Sequence, residues 1–280
     1  MTGFASFWRS YKKNRGAVLG LGVLLLLICM MTFAGSLYPQ SPFLMVARPM
    51  LPPGMDPLFP LGSDALGRDV AAGIVHGSLV TMAIAFVATL VAILLGTSVG
   101  AIAGYYGGWI DDALVRLIEI FQTVPQFMLL VVLVGIFQPT ISTIVISIGV
   151  VSWPAVARLV RAEFLTLRDR EFVQAATVIG MSDLRIVLTQ LLPNALAPII
   201  VMASVIVSQA ILNESALSFL GLGDPNVMTW GSMIGGARDV LRVAPYLTVI
   251  PGIAILISVL AFNLIGDGMN DAFNPRRRER

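Results

Sequence analysis

The side chains able to do chemistry are few in this 280-residue chain, and they do not cluster. His76 is the only histidine and Cys29 the only cysteine. A conventional zinc site needs several such ligands at short spacing, so neither a metal centre nor an internal disulfide can be assembled from them. A serine–histidine nucleophile pair would have to use His76, and no nucleophile motif accompanies it. The only lysines are Lys12 and Lys13, and neither lies in a GxxxxGKS/T setting, so the chain has no P-loop for ATP. No catalytic residue and no metal ligand is assigned. The acid that stands apart is Glu214, followed by Ser215, because it lies well inside an apolar run. An ionisable group at such a place either marks a solute or ion path or hydrogen-bonds to a neighbouring helix, here with Asn213 beside it.

The elements that would position Glu214 are membrane spans. Hydrophobic side chains make up 57% of the chain and charged ones 12%, half the roughly 25% of a soluble domain, which makes this an integral membrane protein. The net charge of +2 is small and the basic residues flank apolar runs, so membrane topology accounts for them and nucleic acid is no partner. Cys29, inside the first run, reads as a space-filling side chain, and His76 as an interfacial one.

A helix rises about 1.5 Å per residue, so roughly 20 apolar residues cross a hydrocarbon core about 30 Å thick. Six spans are expected, giving an all-α fold. The first covers 17–38, read as a retained signal anchor after a tail at 1–16, and the second 77–103. A third and fourth share the uncharged stretch from Ile120 to Ala157, divided by a tight turn at Gln138, Pro139 and Thr140. The fifth covers 194–217 and the sixth 246–266, within a transmembrane core at 77–270 that a basic tail at 271–280 follows. Pro125, Pro154, Pro198 and Pro251 should kink the later spans. The proline-rich segment at 39–76 can hold neither a helix nor a central strand and reads as an extended external loop.

Alternate loops divide the lysines and arginines fourteen to four, the larger group including Arg276, Arg277, Arg278 and Arg280. This places both termini in the cytoplasm of a multi-pass protein. Arg116 and Glu119 read as a local ion pair, and Asp267 and Asp271 as solvated or capping residues.

One segment on the basic side has a surface-helix rhythm. Phe172, Ala175, Ala176 and Ile179 recur at i, i+3, i+4 and i+7. Gly180 offers a left-handed helix stop, and Ser182 can cap a second short helix with an apolar face of Leu184, Val187, Leu188 and Leu191. Pro193 and Asn194 would then turn the chain back into the membrane. Two helices joined at a glycine make a compact knob; the alternative is a helix pair lying on the headgroups. On the opposite side, Trp230, Met233, Ile234, Ala237 and Leu241 share a face suited to a short helix dipping into the outer interface, within an outer loop at 220–245.

The knob sequence, with Gln174, Ala175, Ala176, Gly180, Ser182, Asp183, Leu192 and Pro193, resembles the EAA loop of permease subunits in bacterial ABC importers. Gln174 stands where that family usually has Glu, so no ion pair is expected there. LGSDALGRDV at 61–70 is similar to a stretch ahead of the second span in the C-type permeases of dipeptide and oligopeptide importers. Here Ala71, Ala72 and Gly73 follow it where the family often continues with Ser-Arg. Further matches are DDALVRLIEIFQTVP at 111–125, ESALSFLGLG at 214–223, WGSMI at 230–234 and FNLIGDGMNDAFNPR at 262–276.

The resemblance implies a type I ABC importer permease fold in the bacterial inner membrane. Its partners would be a second permease subunit in a heterodimer, two ATP-binding subunits that hold the ATP and Mg, and an extracytoplasmic substrate-binding protein. The chain itself would have no cofactor and no enzymatic role. It also implies a coupling role for the knob. Glu214, Ser215, Trp230 and Met233 are the candidates for the translocation path or its gate. Peptides are the leading cargo, with nickel chelates, opines and other small solutes as alternatives. A secondary transporter would instead need ionisable groups near the midplane, whereas the charges here gather at span ends.

Overall fold

The computed structural model describes residues 2–273, and the arginines at 276–280 lie outside them. The described residues are helical, with two isolated bridges, Met45 to Arg68 and Ser63 to Asp69, and no strand. Helix α1, Thr2–Lys13, precedes α2, Arg15–Thr32, which breaks at Phe33 before the short α3, Ala34–Leu37. Helix α4 spans Val70–Tyr106 and begins about two turns ahead of the expected second span, because Asp69 caps it by accepting from the Ala71 amide at 2.8 Å. Burial raises the Asp69 carboxyl above its ordinary value, against the opposing pull of the Ala71 and Ala72 amides.

The third crossing differs from the expected one. It begins at Gly108 rather than near Ile120, and it is two helices, α5 (Gly108–Thr123) and α6 (Gln126–Phe137), bent by 82° at Val124 and Pro125. Pro125 therefore breaks its span outright. By contrast Pro154, Pro198 and Pro251 sit inside uninterrupted helices: α7 (Ile141–Arg168), α10 (Leu192–Phe219) and α12 (Tyr246–Phe273). Among the described residues five helices are long and apolar enough to cross a membrane, and the bent pair makes six.

The core is built on α4 against α7. Ala88, Ala92, Gly96, Gly100 and Gly104 recur every fourth residue and put a smooth stripe on α4. A methyl group added at Gly96, Gly100 or Gly104 would lie 2.7, 2.5 or 2.8 Å from the carbonyl oxygens of Trp153, Ala157 or Arg161. The two backbones thus touch. In lipid, where apolar side chains gain nothing by leaving their surroundings, such contact is what holds helices together. Arg161 adds a two-pronged ion pair to both carboxylate oxygens of Asp111, with the Nη2 bond at 2.6 Å, tying α5 to α7.

The first and last described helices meet: Phe7 and Phe273 rings lie 5.0 Å apart and Asn14, just after α1, donates to Asp271 at 3.0 Å. Asp271 is therefore a partnered residue. Arg116 and Glu119 form no ion pair with each other; both are exposed on α5. Cys29 is exposed on α2 and fills no core space. The proline-rich loop is not loose: the Ser63 hydroxyl donates to the Arg48 carbonyl and accepts from the Leu51 amide, and Tyr246 donates to the carbonyls of Leu51 and Ser63. His76 reaches the Tyr38 carbonyl through Nε2 at 2.8 Å.

Candidate functional site

The knob forms at one end of α7. Helix α8 covers Glu171–Val178, Gly180 takes φ +79°, and the four-residue helix α9, Asp183–Ile186, follows. A side chain at φ near +79° would be strained, which is why glycine stands at this turn. Ser182 occupies the cap position, but its side chain makes no capping bond. Beyond α9 the chain does not turn at Pro193. It continues through a π-helical turn, Val187–Leu191, into α10, and the Leu192 amide donates to the Val187 carbonyl. Proline has no N–H to give and its ring crowds the carbonyl four residues back; one wider turn relieves both conflicts. The Asn194 side chain takes up the Gln190 carbonyl at 2.6 Å.

The buried face of the knob is not the expected one. Val173, Ala176, Ile186 and Leu191 pack with Phe164, Val160 and Ala195, whereas Phe172, Leu184 and Leu188 are exposed. Val178 is 86%, Ile179 76% and Leu184 69% exposed around the open space at Gly180. The knob therefore seats one apolar face on its own spans and presents a second outward. Asp183 fixes its orientation by accepting from the Tyr105 hydroxyl of α4 at 2.8 Å. Gln174 and Ala175 face outward, and the Gln174 amide donates only to the Asp169 carbonyl.

The second group of candidates lies at the far end of α10, about 33 Å along the helix by its rise. Glu214 is 1% exposed, and its Oε1 accepts from the hydroxyls of Ser218 at 2.8 Å and Thr229 at 2.7 Å. Asn213 is not among its partners. Thr229 also caps helix α11, Trp230–Ala237, through reciprocal bonds with Ser232. A single buried carboxyl thus clasps α11 onto α10. Methyl groups at Gly231 or Gly235 would lie 2.7 and 2.5 Å from the backbone of Ser215 and Ser218, so the two helices are in backbone contact. Ser215 itself bonds back to the Ile211 carbonyl. Trp230 is buried, its amide donating to Thr81 and its indole N–H to the Ile74 carbonyl at 3.0 Å. Met233 packs over Gly73 of α4. Leu241 departs from the expected face: it is exposed, because α11 ends at Ala237.

Glu214→Ala is expected to lower stability by about 3 kcal/mol, since it strands two buried hydroxyls. Glu214→Gln keeps the accepting oxygen and should cost far less. Thermal unfolding of the two variants in detergent separates these outcomes.

Thr229, fifteen residues from Glu214 across a turn, takes the place expected of Asn213, and a partner at that separation is not readable from local sequence. The small-residue stripe of α4 was readable, as a repeat of four, and is the signal that would have found the α7 contact.

Residues 96–279 of this multi-span bundle match the binding-protein-dependent transport system inner membrane components, the family to which this chain belongs. Residues 3–53 match the N-terminal transmembrane domain of oligopeptide transport permease C. The chain is 37% identical over 284 residues to the dipeptide transport system permease protein DppC of Haemophilus influenzae, spanning 99% of this chain and 96% of that one. It is 37% identical to the di/tripeptide permease DppC of Pseudomonas aeruginosa, over 96% of this chain and 91% of that one. It is 33% identical to the glutathione permease GsiD of Escherichia coli, over 98% and 91%. In fold it is similar to a chain of the MetNI methionine ABC transporter, with a TM-score of 0.57 at 19% identity over 70% of this chain and 93% of that one. A chain of an amino acid ABC transporter gives 0.55 at 15% identity over 71% and 94%. The type I importer fold and the permease class expected from the resemblance are thereby established.

Proposed function

We propose that this chain is one of two non-identical permease subunits of an ATP-driven importer for dipeptides and short oligopeptides. Two ATP-hydrolysing subunits and an extracytoplasmic binding protein complete the assembly. The observation that carries the reading is the outward apolar face of the knob, Val178, Ile179 and Leu184, on a segment whose other face is locked into the spans. A chain without a nucleotide site must take its energy through contact, and this is a surface shaped for contact. Arg158, Arg161, Arg168, Arg170 and Arg185 lie on the knob's side, which supports a cytoplasmic location for it and for both termini. The 220–245 loop, with Trp230 and Met233, then faces the binding protein.

Closure of the ATP-bound partners pushes the knob. The push shifts the balance between inward-open and outward-open states, and ligand binding outside biases the same balance. The cargo reading rests on relatives named for dipeptides, di/tripeptides and glutathione, itself a small peptide. The complete transporter in proteoliposomes is expected to accumulate a labelled dipeptide only with ATP and binding protein present. Competition by unlabelled dipeptide supports the cargo; accumulation of a nickel chelate that dipeptide does not suppress would refute it.

A further inference from the structure

The broken third crossing carries an arrangement that the knob and the clasp do not use. Every residue from Gln122 to Met128 is exposed, and the elbow between α5 and α6 falls inside this run. Helix α6 has 12 residues, so the elbow lies about 18 Å below the turn at Gln138. Its depth is fixed independently by the Gln126 side chain, which donates to Ser152 at 3.3 Å, and by Phe121, whose ring meets Trp153 at 5.3 Å. Ser152 lies about 17 Å along α7 from the same turn. The elbow is thus at hydrocarbon depth.

A helix leaves its first N–H and last C=O groups without partners of its own. At this elbow no side chain caps α6, Pro125 brings no N–H, and of the last four carbonyls of α5 only that of Ile120 is taken up, by the Thr123 hydroxyl. Open backbone of this kind is not stable against lipid; it persists where it is buried in protein or lines a water-filled cavity. Contacts between membrane helices favour small side chains, yet here two long carboxamides project, and Gln122 makes no hydrogen bond to any described residue. From Ile120 to Ala157 the chain carries no charge.

We infer that the Gln122–Gln126 elbow lines the translocation path near the middle of the membrane and offers neutral amide and hydroxyl groups to the backbone amides of a passing peptide. The carboxamides of Gln122 and Gln126 and the open carbonyls of α5 can each exchange hydrogen bonds with a peptide unit whatever its side chains. This rests on the importer reading, and it makes the elbow a low-selectivity step that leaves discrimination to other parts of the assembly.

The test is aqueous access. In a Cys29→Ser background, Gln122→Cys and Gln126→Cys, with Leu90→Cys on the exposed flank of α4 as reference, are reacted with a small charged methanethiosulfonate in the complete reconstituted transporter, and labelling of this chain is followed by mass spectrometry. The two elbow positions are expected to react at least about tenfold faster than Leu90→Cys, and a transported dipeptide is expected to slow them. Rates equal to that of Leu90→Cys, with labelling only by a lipid-soluble maleimide, would overturn the inference and assign the elbow to a sealed contact with the second subunit. If the cargo reading fails instead, dipeptide gives no protection while the fast aqueous rates remain.

Discussion

Gly100→Leu is expected to leave little folded protein in the membrane. The first added carbon alone would lie 2.5 Å from the Ala157 carbonyl oxygen and 2.9 Å from the Val156–Val160 ridge at Val160 Cβ. These are backbone and branched atoms that cannot swing aside, so α4 and α7 must separate. Separation would also lift Gly96 from Trp153 and Gly104 from Arg161, so the cost spreads along the whole stripe. Overpacking of this kind costs about 3 kcal/mol or more. Gly100→Ala should already be destabilising, the reverse of the usual helix gain for that change. Gly22→Ala on α2, where an added methyl meets nothing within 4 Å, is the matching control and should be neutral or stabilising by up to about 1 kcal/mol. Yield and thermal unfolding in detergent read all three. A stable Gly100→Leu protein would show that the α4–α7 contact is not what holds the bundle.

Ile179→Asp should behave in the opposite way, with normal folding and failed transport. The side chain is largely exposed and touches no core cluster, so unfolding should shift by no more than about 0.5 kcal/mol. If the outward face of the knob enters a cleft on the ATP-hydrolysing subunit, an unpaired carboxylate is driven into an apolar contact. A central interface position of this kind is worth about 2 kcal/mol, roughly a 30-fold loss of affinity. Uptake and stimulated ATP hydrolysis should fall together. Gln174→Glu on α8 should preserve both, because Gln174 holds only the Asp169 carbonyl. Full uptake by Ile179→Asp would remove the coupling role.

Much of this architecture was legible because apolar runs in a membrane protein leave little freedom: the crossings follow from length and composition, and the stop at Gly180 from a residue with one common use at such a place. What was not legible has identifiable causes. Helix α8 is apolar on two faces, so periodicity alone could not say that Val173 and Ala176 turn inward while Ile179 turns out; the choice is made by Phe164 and Ile186, which only the fold brings near. Pro125 and Pro154 look alike in the sequence, yet one breaks its helix and the other does not. Pro154 is buried within α7 among residues packed on α4, whereas the neighbours of Pro125 are exposed and nothing clamps the helix through it. Pro193 read as a corner because a proline following an apparent helix usually ends it, and the π-helical turn that carries the chain past it leaves no compositional mark.

That wider turn has a mechanical meaning. Because Asp183–Phe219 is one continuous 37-residue element, the second half of the knob, α9, and the clasp share a single rod roughly 55 Å long. A tilt of about 5° around one end of such a rod swings the other by about 5 Å, comparable to one helical pitch. A displacement of α9 can therefore be carried along this helix toward Glu214, with the π-helical turn, Pro193 and Pro198 as the points at which it can bend.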